Sequence, residues 1–381
     1  MNRVFILGGL RSHLGVRDGI FRHIRPEILG AEIITALCSR YDAGLPEQVI
    51  CGNAVGPGGN IGRLAVLETG LGSQIPAVTV DLQCGSSLTA ADIGFSEIAA
   101  GRYQLVAAGG FESSSLQPLR RYALHDPRRG HGDGAFRCAQ FIPGEYGDQA
   151  MLLGAERTAR RAGVTRAEAD QAALQSRKAA WSAQQQGIFN EDIQPLFGSR
   201  KDEGVRDHMT LALMRRAPVV SGAADGIITA ANACTMNDGA AFLLLCSEQW
   251  LKEHGRKAAA EIVDSRMTGS DPLYPPAAAD AAAADLLAHR FLSYHQIDAF
   301  EYNEAFSIID VLFQRAHPSL AGRLNQFGGA LAYGHPYGAS GAVILIHLMR
   351  ILQKTGGSLG IAAAGAAGGM GQCMMIRNMR Q

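Results

Sequence analysis

An α/β fold with a mostly parallel sheet is the class this chain predicts, and three observations carry it. Short apolar runs recur through both ends of the chain, each bounded by Gly, Pro or Asp, which suits buried strands better than helices. Ala-rich stretches of helical length separate them, the rhythm of βαβ units. Glycine is abundant, 46 of 381 residues, and charged residues make up only 18%, as in a tightly packed enzyme with many close backbone approaches.

Taken in order, strands are expected at residues 4–8 and 48–52, with helices over 26–40 and 62–70. Buried strands at 77–81 and 104–109 flank a helix over 88–100. From about 116 to 225 the pattern changes. Arg120-Arg121, Arg128-Arg129-Gly130-His131-Gly132 and Lys201-Asp202-Glu203 are polar and turn-rich, and they frame two helices near 147–162 and 165–186. This stretch reads as an insertion carried by the first half. Its Arg-rich loop is either a solvated surface or a seat for a phosphate-bearing cofactor or a subunit contact. Alternation then resumes, with strands at 226–230, 240–246 and 260–266, a helix over 276–288 and a strand at 299–302. Helices over 308–314 and 340–353 and closing strands at 359–364 and 372–377 complete the chain. Each half carries a strand–turn–helix rich in Gly and Ala, so an internally duplicated fold is expected without a literal repeat. The division would be 1–250, carrying an inserted loop domain at about 116–225, and 251–381.

Lys plus Arg equals Asp plus Glu at 35 each, which argues against nucleic acid or an anionic membrane as the main partner. No apolar run reaches membrane-spanning length, and Met1 leads straight into a strand, so no signal peptide is expected. Seven cysteines, an odd number without metal-ligand spacing, point to free thiols, no metal site and the cytoplasm.

The chemistry centres on Cys84, which opens Cys84-Gly85-Ser86-Ser87 between a strand and a helix. A thiol at that junction meets the positive end of a helix dipole and unpaired backbone N–H groups, which favours thiolate and a nucleophilic role. Read alone, Cys84 would be a small core residue. Two later segments supply partners. Asn303-Glu304-Ala305-Phe306-Ser307 places an amide and a carboxylate at a strand-to-helix corner, where they orient a water or an imidazole, or simply cap the helix. The run from Asn325 to Gly341 crowds glycines around His335, held stiffly between Gly334 and Pro336. A third backbone-exposing loop is Gly365-Ala366-Ala367-Gly368-Gly369-Met370-Gly371. A dinucleotide fingerprint after the first strand and a serine-hydrolase elbow are both missing.

With these motifs assembled, the chain resembles the thiolase family over almost its whole length. The resemblance rests on Arg11-Ser12-His13-Leu14-Gly15, the Cys84 segment with Gly109-Gly110-Phe111-Glu112-Ser113, and Met151 to Ala159. It rests equally on Thr229-Ala230-Ala231-Asn232-Ala233-Cys234-Thr235-Met236-Asn237-Asp238-Gly239, the Asn303 corner and Gly334–Gly341. It implies a duplicated five-layered α-β-α-β-α core with a CoA-binding loop domain inserted in the first half. It also implies that Cys84 takes an acyl group from a CoA thioester. His335 would activate Cys84 and help bind the thioester oxygen, and Asn303 would hold a water that completes the oxyanion hole. Ala233 and Cys234 would lie near the pantetheine chain and Arg215 or Arg216 near the CoA phosphates. CoA would be a substrate, with no permanent cofactor. The partner would be an acyl-CoA or an acyl carrier, and the assembly a homodimer or homotetramer, with or without accessory subunits.

The pattern departs from the family in specific places. The second catalytic cysteine of the last glycine loop aligns with Gly365, and Cys373 lies beyond that loop. Ala150-Met151-Leu152 stands for His-Met-Gly, Cys234 for a serine, Asp81 for Asn, Ser87 for Gly and Ser114 for Met. These changes make an acyltransferase that forms C–C bonds without the second cysteine the leading expectation. A true acetyl-CoA C-acyltransferase using another acid/base, and a non-catalytic binding or assembly subunit, are the alternatives.

Overall fold

The computed structural model describes residues 2–129, 133–144 and 149–379. One hydrogen-bonded sheet runs Ala299–Tyr302, Leu359–Ala366, Met370–Asn378, Ala260–Gly269, Val4–Ser12, Asn237–Ser247, Leu105–Glu112, Gln48–Gly52, Ala77–Val80. Its centre is the antiparallel pair of Val4–Ser12 and Ala260–Gly269, with Val4 opposite Ile262. Outward from that pair, each half repeats the same pairings in the same order: antiparallel, antiparallel, parallel. The first half adds Ala77–Val80, parallel, at its edge. The duplication is therefore written in strand pairing, where the residue letters show none.

Helices Ser86–Ala99 and Ser340–Thr355 pack on each other between the two sheet halves. Pro26–Tyr41 and Ile61–Glu68 cover the outer face of the first half, and Ala278–His289 that of the second. This is the five-layered α-β-α-β-α core that was expected, but the sheet is mainly antiparallel and not mostly parallel: the strands around its centre join antiparallel neighbours, and only pairings toward its edges are the parallel ones that βαβ units make. Because both faces of the sheet are covered, its central strands are continuous apolar runs: Val4–Ser12 and Asn237–Ser247 are buried at every residue. Burial at every position, and not alternation, is what made these strands legible as short runs.

Residues 113–236 form an excursion between two strands that pair with each other, Leu105–Glu112 and Asn237–Ser247, returning to the sheet at Ile193–Gln194, which pairs in parallel with Arg11 and Ser12. In the second half, the equivalent strands are joined by residues 367–369 alone. The excursion holds helices Ala150–Arg161, Arg166–Gln185 and Leu211–Arg215 and a small hairpin of Arg120–Arg121 with Ala135–Phe136. Helix Arg166–Gln185 starts at a capping box in which Thr165 and Glu168 satisfy each other's backbone N–H. The excursion is anchored to the core through Arg11, fully buried, whose guanidinium forks onto Asp202 at 2.8 and 2.9 Å. Residues 130–132 of the Arg-rich loop, and the start of the helix expected from 147, lie outside the described residues.

One expected strand does not form. Residues 226–230 are irregular because side chains take their backbone groups. Glu156 accepts from the N–H of Ile227 and Ile228, and Asn232 binds Ile227 O and Thr229 N. Several helices and strands also run a few residues beyond expectation, as at Ser86–Ala99 and Val4–Ser12.

Candidate active site

Cys84 sits in a tight helical turn, Gln83–Gly85, between strand Ala77–Val80 and helix Ser86–Ala99. The turn bends through Gln83, which adopts a left-handed φ of 50°, unusual for a residue with a side chain. Asp81 holds it there: one carboxylate oxygen accepts from Gln83 N at 2.9 Å and from Gln83 Nε2 at 2.8 Å.

The partner loop comes from the second half. Gly334 has a φ of 102°, and a Cβ there would lie 2.2 Å from the Asn237 side chain. The next N–H, that of His335, donates to Thr235 O at 3.1 Å and Asn237 Oδ1 at 3.2 Å. Helix Ser340–Thr355 follows, crossing helix Ser86–Ala99 so closely that a Cβ on Gly341 would lie 2.4 Å from Leu88 N. Ser87 Oγ accepts from Ala342 N at 2.9 Å, so a serine of one helix caps the other. Glu112 ties the loop down from below, accepting from Gly338 N at 3.0 Å, Ala54 N at 2.8 Å and Asn53 Nδ2 at 2.9 Å. Burial raises the Glu112 carboxyl to about 7.

These constraints bring Cys84, His335 and Asn303 together. His335 Nε2 lies 3.0 Å from Cys84 Sγ and 3.3 Å from Asn303 Nδ2. His335 Nδ1 lies 2.6 Å from Ser340 Oγ, whose own proton goes to Pro336 O at 2.9 Å. Ser340 must then accept from Nδ1–H, which leaves Nε2 unprotonated and facing two donors, the thiol and the amide. Asn303 ends strand Ala299–Tyr302, is 1% exposed, and its N–H donates to Ala363 O at 2.9 Å.

The charge state differs from the sequence expectation. Burial, and then the neighbouring Cys234, push the Cys84 thiol up, so the resting sulfur is a thiol and not a thiolate. Burial also pulls His335 down to about 3. The helix N-terminus is outweighed by desolvation of a side chain only 7% exposed. A neutral thiol beside a neutral, correctly oriented imidazole transfers its proton only when a carbonyl arrives to take the sulfur's electrons.

Cys234 is brought to this site: its N–H donates to Ala305 O at 2.9 Å, and Ala233 bridges to Phe306, on the Asn303 corner. Arg215 and Arg216 are not. Both are exposed at the end of helix Leu211–Arg215, where Arg166 binds the Arg215 carbonyl at 3.0 Å. A Cβ at Gly365 would lie 2.9 Å from Pro275 O, with Ala279 N and Ala278 Cβ next, so a side chain there heads for the outer helix layer. Cys373 faces the same way, its thiol donating to Ala282 O at 3.1 Å. Sequence reasoning missed Ser340, Glu112 and Tyr337, whose ring stands edge-on to His335 at 4.7 Å. Glu112 carried a signal, a charge closing the apolar run Leu105 to Phe111.

Comparison with known proteins places the chain. The model of the thiolase N-terminal domain matches residues 4–249, and that of the thiolase C-terminal domain matches residues 256–378. The chain belongs to the thiolase family. Members of that family are acyltransferases, so this thiolase is one as well. It is 34% identical over 378 residues to the Bacillus subtilis (strain 168) protein named "Putative acetyl-CoA C-acetyltransferase YhfS", covering 99% of both chains. VraB of Staphylococcus aureus (strain COL) carries the same description and is 34% identical over 383 residues, again covering 99% of each. In structure, this thiolase is similar to the acetyl-CoA acetyltransferase of Bacillus anthracis, with a TM-score of 0.92 at 27% identity and 99% of each chain covered. It is also similar to the Acat5 thiolase of Ascaris suum, solved with coenzyme A. That match has a TM-score of 0.89 at 29% identity and covers 99% of this chain and 100% of that one. No helix among the described residues is long and apolar enough to cross a membrane.

Proposed function

We propose that this thiolase transfers acyl groups between CoA thioesters through an acyl-Cys84 intermediate, joining or releasing a carbon acceptor without a thiol at position 365. The observation that carries the reading is the 3.0 Å approach of Cys84 Sγ to His335 Nε2, with Ser340 Oγ holding the opposite ring nitrogen at 2.6 Å. In the first half-reaction His335 takes the Cys84 proton as sulfur attacks the acyl carbonyl. The imidazolium Nε2–H and Asn303 Nδ2, directly or through a water, then face the oxyanion. Preorganised donors of this kind supply a large share of catalysis. In the second half-reaction the acyl group leaves sulfur for the acceptor, giving ping-pong order. Ala233 and Cys234 would border the pantetheine arm, and Arg215 or Arg216 would meet the CoA phosphates. A location in the cytoplasm would fit seven free thiols.

Reversible thiolysis of a 3-ketoacyl-CoA is the second reading, favoured by the printed names of the 34% identical relatives. Intact-mass measurement after mixing with acetyl-CoA tests the common core: an acetyl adduct is expected, and Cys84→Ala should abolish it. No adduct with acyl-CoAs of any length would leave only a binding protein. Rapid cleavage of acetoacetyl-CoA by free CoA would select the second reading over the first.

A further inference from the structure

Making or breaking a C–C bond next to a thioester leaves an enolate, and its α-carbon must gain or lose a proton; a positioned acid/base is worth about 10²–10⁴-fold in such steps. Neither Cys84 nor His335 is free for it, since the sulfur is acylated and the imidazole holds the sulfur's proton. Five of the seven cysteines do not answer the need. Cys38, Cys51 and Cys246 belong to the outer core of the first half, Cys373 is bonded to Ala282 on the outer helix, and Cys138 follows the hairpin strand Ala135–Phe136 of the excursion, on neither of the segments that carry Asn303 and His335. Cys84 is the nucleophile, which leaves Cys234.

We infer that Cys234 is the second thiol of this active site, the group that exchanges a proton with the α-carbon of the acceptor thioester. The inference rests on the acyltransferase reading above. Its geometry is independent of the glycine loop: Cys234 hangs from the corner that carries Asn303. Its backbone is fixed by the bond to Ala305 and by Asn232 O, which accepts from Ser307 N at 3.0 Å. Among titratable side chains, Cys234 is the one whose charge Cys84 feels most strongly, and it is also the strongest electrostatic neighbour of the Tyr337 phenol. Its chain neighbours lead to the base: Thr235 O accepts from His335 N at 3.1 Å and Met236 bridges to His335, so Cys234 stands between the Asn303 corner and the His335 loop. Cys234 is only partly buried, and its thiol is pushed up to about 12 by burial, so it stands ready as a proton donor.

In the cleavage direction the step balances as follows. Cys84 sulfur bonds to the β-carbonyl carbon, and its proton passes to His335. The bond between the α- and β-carbons breaks, and its electron pair goes to the α-carbon. Cys234 S–H protonates that carbon and becomes a thiolate. Incoming CoA–SH returns a proton to Cys234, and its sulfur takes the acyl group from Cys84. Cys84 finally recovers its proton from His335. Synthesis runs the same steps in reverse.

The test uses the intact protein with acetyl-CoA in D₂O. Proton NMR follows loss of methyl protons, and mass spectrometry follows the Cys84 adduct. Cys234→Ala and the near-isosteric Cys234→Ser should both keep the adduct, which certifies their fold. Both should lose methyl exchange by about 10²-fold or more. Exchange at the wild-type rate in Cys234→Ala, with the adduct intact, would overturn this inference alone. No adduct in the wild type would bring down the acyltransferase reading, and this inference with it.

Discussion

Ser340→Ala is the most informative single change, because its whole cost falls on one proton. Ser340 Oγ accepts from His335 Nδ1 at 2.6 Å and donates to Pro336 O at 2.9 Å. Pro336 O also accepts from Ala339 N at 2.8 Å and Ser340 N at 2.9 Å, so it stays satisfied in the variant. The loss is one buried Nδ1–H without a partner, about 1–3 kcal/mol. The imidazole can escape this cost by moving its proton to Nε2, but that nitrogen faces Cys84 and Asn303 Nδ2 and would cease to be a base. Either outcome raises the barrier to acylation by a similar amount, roughly 5- to 150-fold in rate. Single-turnover acylation by acetyl-CoA should slow within that range, while KM for the thioester moves little because Ser340 is buried beneath the ring. Ser340→Thr, which keeps the hydroxyl, should recover most of the rate. Acylation within twofold of wild type in Ser340→Ala would refute the tautomer argument.

Three further outcomes follow from the same structure. Alkylation of Cys84 by iodoacetamide should rise tenfold per pH unit through neutrality and up to at least pH 9, since burial raises the thiol and lowers His335. A plateau with an apparent pKa near 6–7 would instead reveal a thiolate–imidazolium pair. The same depressed His335 makes a stability prediction: unfolded chains bind its proton near 6.5 and folded ones only near 3, so its stabilising contribution should fade as pH drops between those values. Gly365→Cys should lower stability by about 1–3 kcal/mol, because its Cβ meets Pro275 O at 2.9 Å, and should leave methyl exchange of acetyl-CoA unimproved. Urea unfolding and NMR exchange check both halves, and faster exchange at unchanged stability would show that position 365 does reach the site.

Much of the architecture was legible because covered strands leave a simple mark. Runs such as Ala240 to Leu245 are apolar without interruption, and glycines cluster where chains cross, as around His335 and at Gly341. Residues 226–230 misled for a physical reason: their apolar letters match a strand, but Glu156, distant in sequence, claims their N–H groups. The protonation state of Cys84 was hidden similarly. The helix end is visible locally, whereas the depth of burial depends on the second half closing over it. Ser340 lies five residues from His335 in sequence, yet its role appears only when the Gly334–Ala339 loop folds the ring back over the helix start. Orientation at Gly365 likewise depends on the helix beginning near Pro275.

The seam between helices Ser86–Ala99 and Ser340–Thr355 has a consequence for how activity is lost. The sulfur rides on one repeat and its base on the other, and a single serine hydroxyl and a bare glycine set the distance between them. A slip of one helix against the other by even an ångström separates acid from base while the sheet stays whole. Inactivation under mild stress should therefore precede melting, and ligands that clasp both repeats would protect turnover more than they protect the fold.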